Sequence, residues 1–95
     1  MAILAQTRVL GGTRDDMEVI ESQMEAHSMR AGHPPEGLMA TVVHPDEGDF
    51  IIAEVWRTED EMREWLDAVI LPGIIATGKS ADPTSVSPVW AFARP

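Results

Sequence analysis

The chain has no cysteine, no tyrosine and no asparagine. Without cysteine there is no disulfide framework, no thiolate metal site and no thiol nucleophile. The other two absences remove any mechanism that draws on a phenol or an Asn carboxamide. Basic residues are scarce: 7 Lys and Arg stand against 16 Asp and Glu, a formal net charge of −9. That balance repels phosphate backbones and anionic membrane surfaces, and no basic cluster offsets it locally, so the expectation is no nucleic-acid binding. Long hydrophobic runs are missing as well. No segment approaches the ~18 apolar residues of a membrane helix, and "MAILAQTRVL" lacks the basic start of a secretory signal. The expected setting is cytoplasmic, without membrane contact. Neither a G-x-S-x-G elbow, a P-loop nor a G-x-G-x-x-G turn occurs, so nothing points to hydrolysis through a nucleophile elbow or to nucleotide chemistry.

What is present fits one domain spanning residues 1–95, with 44% hydrophobic residues. A chain this short buries a limited share of its surface and commonly gains stability by oligomerising.

Ala2 to Leu10 reads as a strand closed by Gly11-Gly12. Thr13 with Asp16 forms a weaker version of the capping box. Met17, Ile20, Met24 and His27 then recur at helical spacing, with Glu18, Glu21 and Glu25 on the wet side. The helix is expected to end near Arg30, because Gly32 and Pro34-Pro35 cannot continue it. Leu38 to Val43 reads as a second strand, His44 to Asp49 as a turn, and Phe50 to Trp56 as a third strand, together an antiparallel hairpin. Thr58 and Glu61 make a full T-x-x-E box for a second helix with Met62, Trp65, Leu66 and Val69 on its apolar stripe. Pro72 and Gly73 are expected to interrupt that helix before a further turn at Ile74 to Ala76. "TGKSADPTS" reads as a polar loop, and Val86 to Phe92 as a last strand in which Pro88 marks an edge, a bulge or a strand start.

The order β-α-β-β-α-β is that of a ferredoxin-like α+β sheet with two helices on one face. Along the third strand both alternating sets are mostly apolar: Phe50, Ile52, Glu54 and Trp56 in one, Ile51, Ala53 and Val55 in the other. Whichever set faces away from the helices therefore needs a cover, and a second copy of the chain is the expected one.

"FIIAEVWRTEDEMREWLDAVILPGI" combines a strand ending in Glu-x-Trp, a capped acidic helix start, an aromatic in mid-helix and a Leu-Pro near its end. It resembles the antibiotic-biosynthesis-monooxygenase-like group of dimeric α+β barrels. The resemblance implies a homodimeric barrel of two four-stranded sheets, with a ligand pocket between each sheet and its helices. The activities it implies range from cofactor-independent oxygenation of polycyclic phenols or quinols, through haem degradation, to small-aldehyde or signal-molecule processing. The sequence departs from the group where Trp65 is followed by Leu66 and Asp67 instead of the histidine many relatives carry. It also lacks the Asn used by haem-degrading members and the Tyr and Asn used by polyketide-oxidising ones, so their catalytic sets do not transfer whole.

Among candidate site residues, Glu54 lies between apolar neighbours. A carboxylate there either pairs with a cation, with Arg8 or Arg94 the expected partner, or carries a raised pKa suited to proton abstraction. Trp56 either stacks on a flat aromatic ligand or packs in the core or an interface. Trp65 sits on the apolar helical stripe, and Trp90 in the last strand is a candidate dimer contact. His27 faces inward and is a candidate base, against the commoner packed histidine; His33 and His44 precede prolines in loops and read as surface groups. No two of the three have metal-ligand spacing, so no metal site is expected, and the resemblance to the monooxygenase-like group implies no organic cofactor. Met17, Met24, Met39 and Met62 offer a soft inward lining, for a hydrophobic ligand or for an irregular core.

The resulting expectation is a small cofactor-free oxygenase acting on a hydrophobic aromatic or quinol-type molecule. His27 or Glu54 would take a proton, Arg8 would hold the oxyanion, and Trp56, Trp65, Met24 and Met39 would bind the ring. The alternative is a non-catalytic dimeric module of the same fold that binds a hydrophobic ligand or offers only an interaction surface.

Overall fold

The computed structural model describes residues 1–93. Its elements are β1 (Ile3–Leu10), α1 (Arg14–Ala31), β2 (Leu38–Asp46), β3 (Asp49–Trp56), α2 (Glu59–Trp65), a π-helical segment (Leu66–Ile70), α3 (Leu71–Ala76), β4 (Ser80–Ala81) and β5 (Ser85–Pro88). The sheet is antiparallel throughout, ordered β2-β3-β1, with β4 and β5 both on the free side of β1. This is the expected ferredoxin-like α+β fold. No helix is long and apolar enough to cross a membrane among the described residues.

Several local expectations change. The β2–β3 connection is shorter than the predicted six-residue turn. Both strands run on to the Asp46–Asp49 pair, leaving Glu47 (φ 48°) and Gly48 (φ 84°) as the turn. Two successive left-handed residues are what a tight hairpin needs to match the twist of its strands. The last strand is four residues long, not seven, and stops at Pro88, so Trp90 lies outside the sheet. Within the predicted polar loop, Ser80 and Ala81 pair with Leu10 and Val9. The two helix caps exchange strength. Thr13 and Asp16 close a complete reciprocal box, whereas Glu61, engaged by Arg57 and the Thr58 hydroxyl, returns no bond to the cap backbone.

Pro72 does not break the second helix. The π-helical segment widens it immediately upstream, with the Leu71 N–H reaching back to the Leu66 carbonyl. Pro72 then falls in the first turn of α3, where no helical N–H is required of it.

The parity of β3 is resolved: Phe50, Ile52, Glu54 and Trp56 are buried toward the helices, and Ile51, Ala53 and Val55 lie on the opposite face. Val9, Ile20, Ile52, Met62, Ile70 and Ile74 fill the layer between sheet and helices. α1 and the second helix cross closely, and a Cβ on Gly73 would stand 3.4 Å from the Ile20 Cα.

Candidate active site

At the end of the helical layer where β3 runs out, Trp56, the last residue of that strand, meets Trp65, the last of α2. Their ring centroids are 6.4 Å apart with planes tilted by 53°. His27, in the penultimate turn of α1, sets its ring edge-on to Trp65 at 5.2 Å and 87°. Over these three rings opens a half-enclosed cavity of about 510 Å³, with Ala31, His33, Pro35, Glu36, Gly37, Glu61, Glu64 and Ala68 completing its walls. That size is in the range of small-molecule sites.

Each ring is placed by its element. The stripe spacing of α1 turns His27 toward the sheet. β3 alternation turns Trp56 toward the helices to meet it, and the capped start at Thr58 fixes the phase of α2 that buries Trp65. One wall is locked: Arg57 grips Glu61 with two bonds of 2.9 and 2.6 Å. Gly37 lies so close that a Cβ there would stand 2.3 Å from the Glu61 Oε2.

Glu54 sits beneath the indoles and does not line the cavity. It is 6% exposed, and its Oε1 accepts the Trp56 indole N–H at 3.3 Å. Its Oε2 and the Trp65 Nε1 are buried without a hydrogen bond of good geometry. Burial pushes the carboxyl pKa up, and the two indole N–H groups oppose that shift in part. The expected ion pair with Arg8 does not form. Arg8 faces the other side of the sheet, bound to Asp46 and, at 3.0 Å, to Asp49, and Arg94 lies outside the described residues. Among the described residues Glu54 has no ion-pair partner.

The structure thus brings together His27, Trp56 and Trp65, with Glu54 directly behind, and leaves Arg8 apart. Met24 packs against the core and Met39 lies at the β2 bulge; neither lines the cavity. His33 does line it, as sequence alone did not indicate, while exposed His44 borders a second cavity at the other end of α1. Glu61, read in the sequence as a capping residue, also lines the cavity, as do Glu36 and Glu64, which sequence reasoning did not single out. No group of three or more His, Asp or Glu able to hold a metal is found among the described residues.

Comparison with solved structures shows the fold. The chain is similar to a mutant form of SnoaB from Streptomyces nogalater, a cofactor-independent oxygenase, with a TM-score of 0.64 and 14% identity over 96% of this chain and 95% of that one. Rv0793 from Mycobacterium tuberculosis superposes with a TM-score of 0.64 at 12% identity over 99% of this chain and all of its own (100%). A Deinococcus radiodurans protein assigned to antibiotic biosynthesis monooxygenases gives 0.61 at 14% identity, over 99% and 97% of the two chains. The resemblance read from the sequence is therefore met at the level of fold: the chain has the ferredoxin-like α+β architecture of antibiotic biosynthesis monooxygenases. No family model and no curated protein matches the sequence.

Proposed function

We propose that the protein is a cofactor-independent oxygenase that takes a hydrophobic phenol or quinol into the cavity over Trp56 and Trp65. The observation that carries this reading is an ionisable imidazole, His27, on the wall of an aromatic-floored cavity of about 510 Å³. The likeness to SnoaB, a cofactor-independent oxygenase, supports the same reaction class. The two indoles, tilted by 53° to each other, close the bottom of the cavity as an apolar aromatic floor. His27 takes the phenolic proton, which leaves an electron-rich ring able to reduce dioxygen without a metal. A carbon–oxygen bond forms to give a ring peroxide. The imidazolium then returns its proton to the outer peroxide oxygen, and as the O–O bond breaks the oxygenated ring carbon gives up its C–H proton to the departing hydroxide, so that one oxygen leaves as water and the other stays as a new carbonyl. The ring supplies all four electrons. Glu54, in this scheme, acts by holding the Trp56 indole from behind.

The functional unit is proposed to be a homodimer, formed through the sheet face opposite the helices. Leu4, Val42, Ile51, Ala53 and Val55 lie there, with Val42 58% exposed, a grouping that calls for a cover.

The test is oxygen uptake with a panel of hydroquinones and anthrones, comparing wild type with His27→Ala. Loss of a general base is expected to slow uptake by about 10²-fold or more. Equal rates for wild type, variant and buffer would remove the oxygenase reading. The absence of Arg8 from the cavity specifically favours one alternative, a non-catalytic binding module. That reading predicts ligand binding with no oxygen uptake.

A further inference from the structure

Beside His27 and His33, the charged side chains on the cavity walls are of one sign: Glu36, Glu61 and Glu64 line it, and no lysine or arginine does among the described residues. Glu61 is neutralised by Arg57 at 2.6 Å and braced against Gly37. Glu36 and Glu64 form no ion pair among the described residues, and Arg57 reaches Glu36 only through space. Behind the floor lies a further carboxyl, Glu54, and the chain as a whole bears −9. The floor itself is made by two nearly buried indoles, an apolar surface that does nothing to offset the charge on the walls. A carboxylate or phosphate on a ligand would meet like charge close to low-dielectric walls, while an ammonium group would meet the carboxylates of Glu36 and Glu64.

We propose that the site selects its substrate by charge. It takes a phenol or hydroquinone whose side chain carries an ammonium group and discriminates against the corresponding carboxylic acid, with Glu36 and Glu64 as the specificity-determining residues. This rests on the reading of the cavity as the substrate site. Glu61 takes no part in the selection because its charge is already spent on Arg57.

A matched set of phenols tests it: tyramine as the cation, 4-ethylphenol as the neutral member, and 3-(4-hydroxyphenyl)propionate as the anion. Each is titrated into the whole protein at low ionic strength while the indole and His27 NMR signals are followed. Tyramine is expected to bind about tenfold more tightly than the propionate, the scale of two screened charge contacts, with 4-ethylphenol between them. In E36Q/E64Q the three affinities are expected to converge to within about twofold, with that for 4-ethylphenol unchanged. Binding of 4-ethylphenol with no preference for tyramine over the propionate, or a preference that survives in E36Q/E64Q, overturns charge selection while leaving the cavity as a ligand site. Failure of all three phenols to shift these signals overturns the cavity reading and the charge preference together.

Discussion

The Glu54 carboxylate accepts the indole N–H of Trp56, two residues further along the same strand, at 3.3 Å. Strand alternation places residues i and i+2 on one face, so a single buried carboxyl is held against the ring that floors the cavity. Burial raises its pKa, which makes the folded state bind a proton the unfolded chain has already released. Its contribution to stability is full below the ordinary glutamate pKa. It declines as pH rises through the raised folded value and is constant above it. Glu54→Gln has no such titration. In urea unfolding followed across pH, the variant is expected to gain stability relative to wild type as pH rises from the ordinary glutamate range to neutrality. A difference that does not change with pH would show that Glu54 is not buried as described.

Gly37 and Glu61 share a space too small for another carbon, with a Cβ falling 2.3 Å from Oε2. Gly37→Ala is expected to cost about 1–3 kcal/mol, the range for overpacking, and to break the Arg57–Glu61 pair. In G37A/E61A most of that loss should return. A double-mutant cycle by chemical denaturation measures the coupling, and strictly additive effects would contradict the close contact.

Pro72 stands where the helix makes no demand for its N–H. Pro72→Ala is therefore expected to change stability by less than about 1 kcal/mol, against the ~3 kcal/mol that separates proline from alanine inside a regular helix. A gain near the larger figure in thermal or urea unfolding would mean that the proline strains the helix.

Ile51 and Val42 lie on the sheet face away from the helices. With the homodimer proposed above, wild type is expected to have twice the chain mass by light scattering at micromolar concentration. Ile51→Glu is expected to shift it to the monomer with its circular dichroism retained. A wild-type monomer would remove the barrel.

The order of strands and helices was legible because each element carries its own period and punctuation. Thr13, Gly32, Thr58 and the short apolar run of β3 all mark what they form. Parity was not legible. Ile51, Ala53 and Val55 are as apolar as Phe50, Ile52 and Trp56, so the pattern that normally names the buried face is silent here. Arg8 was misjudged for the same reason. Ala5, not Arg8, pairs with Glu54, and an offset of three residues turns a side chain to the other face. Pro72 reads as a breaker because a sequence does not announce a π-helical segment. β4 is two residues of ordinary loop composition, recognisable only from its partner strand. His27, Trp56 and Trp65 were singled out by their chemistry and do line the cavity, whereas Glu36 and Glu64 were passed over because a carboxylate beside a cavity and one facing solvent have the same sequence signature.

The far side of β1 is covered in two pieces, Ser80–Ala81 and Ser85–Pro88, with the Asp82 N–H bonded to the Arg8 carbonyl between them. The outermost strand thus offers no continuous row of unpaired amides, and Pro88 at its end has none to offer. At the opposite border β2 carries Pro45 and an irregularity between Leu38 and Ala40. Both rims are thereby made poorer templates for another chain to extend the ladder, the route by which exposed sheets grow into fibrils. Broken rims disfavour open-ended growth by strand addition, and the homodimer proposed above would use the sheet face, which closes on itself as a pair.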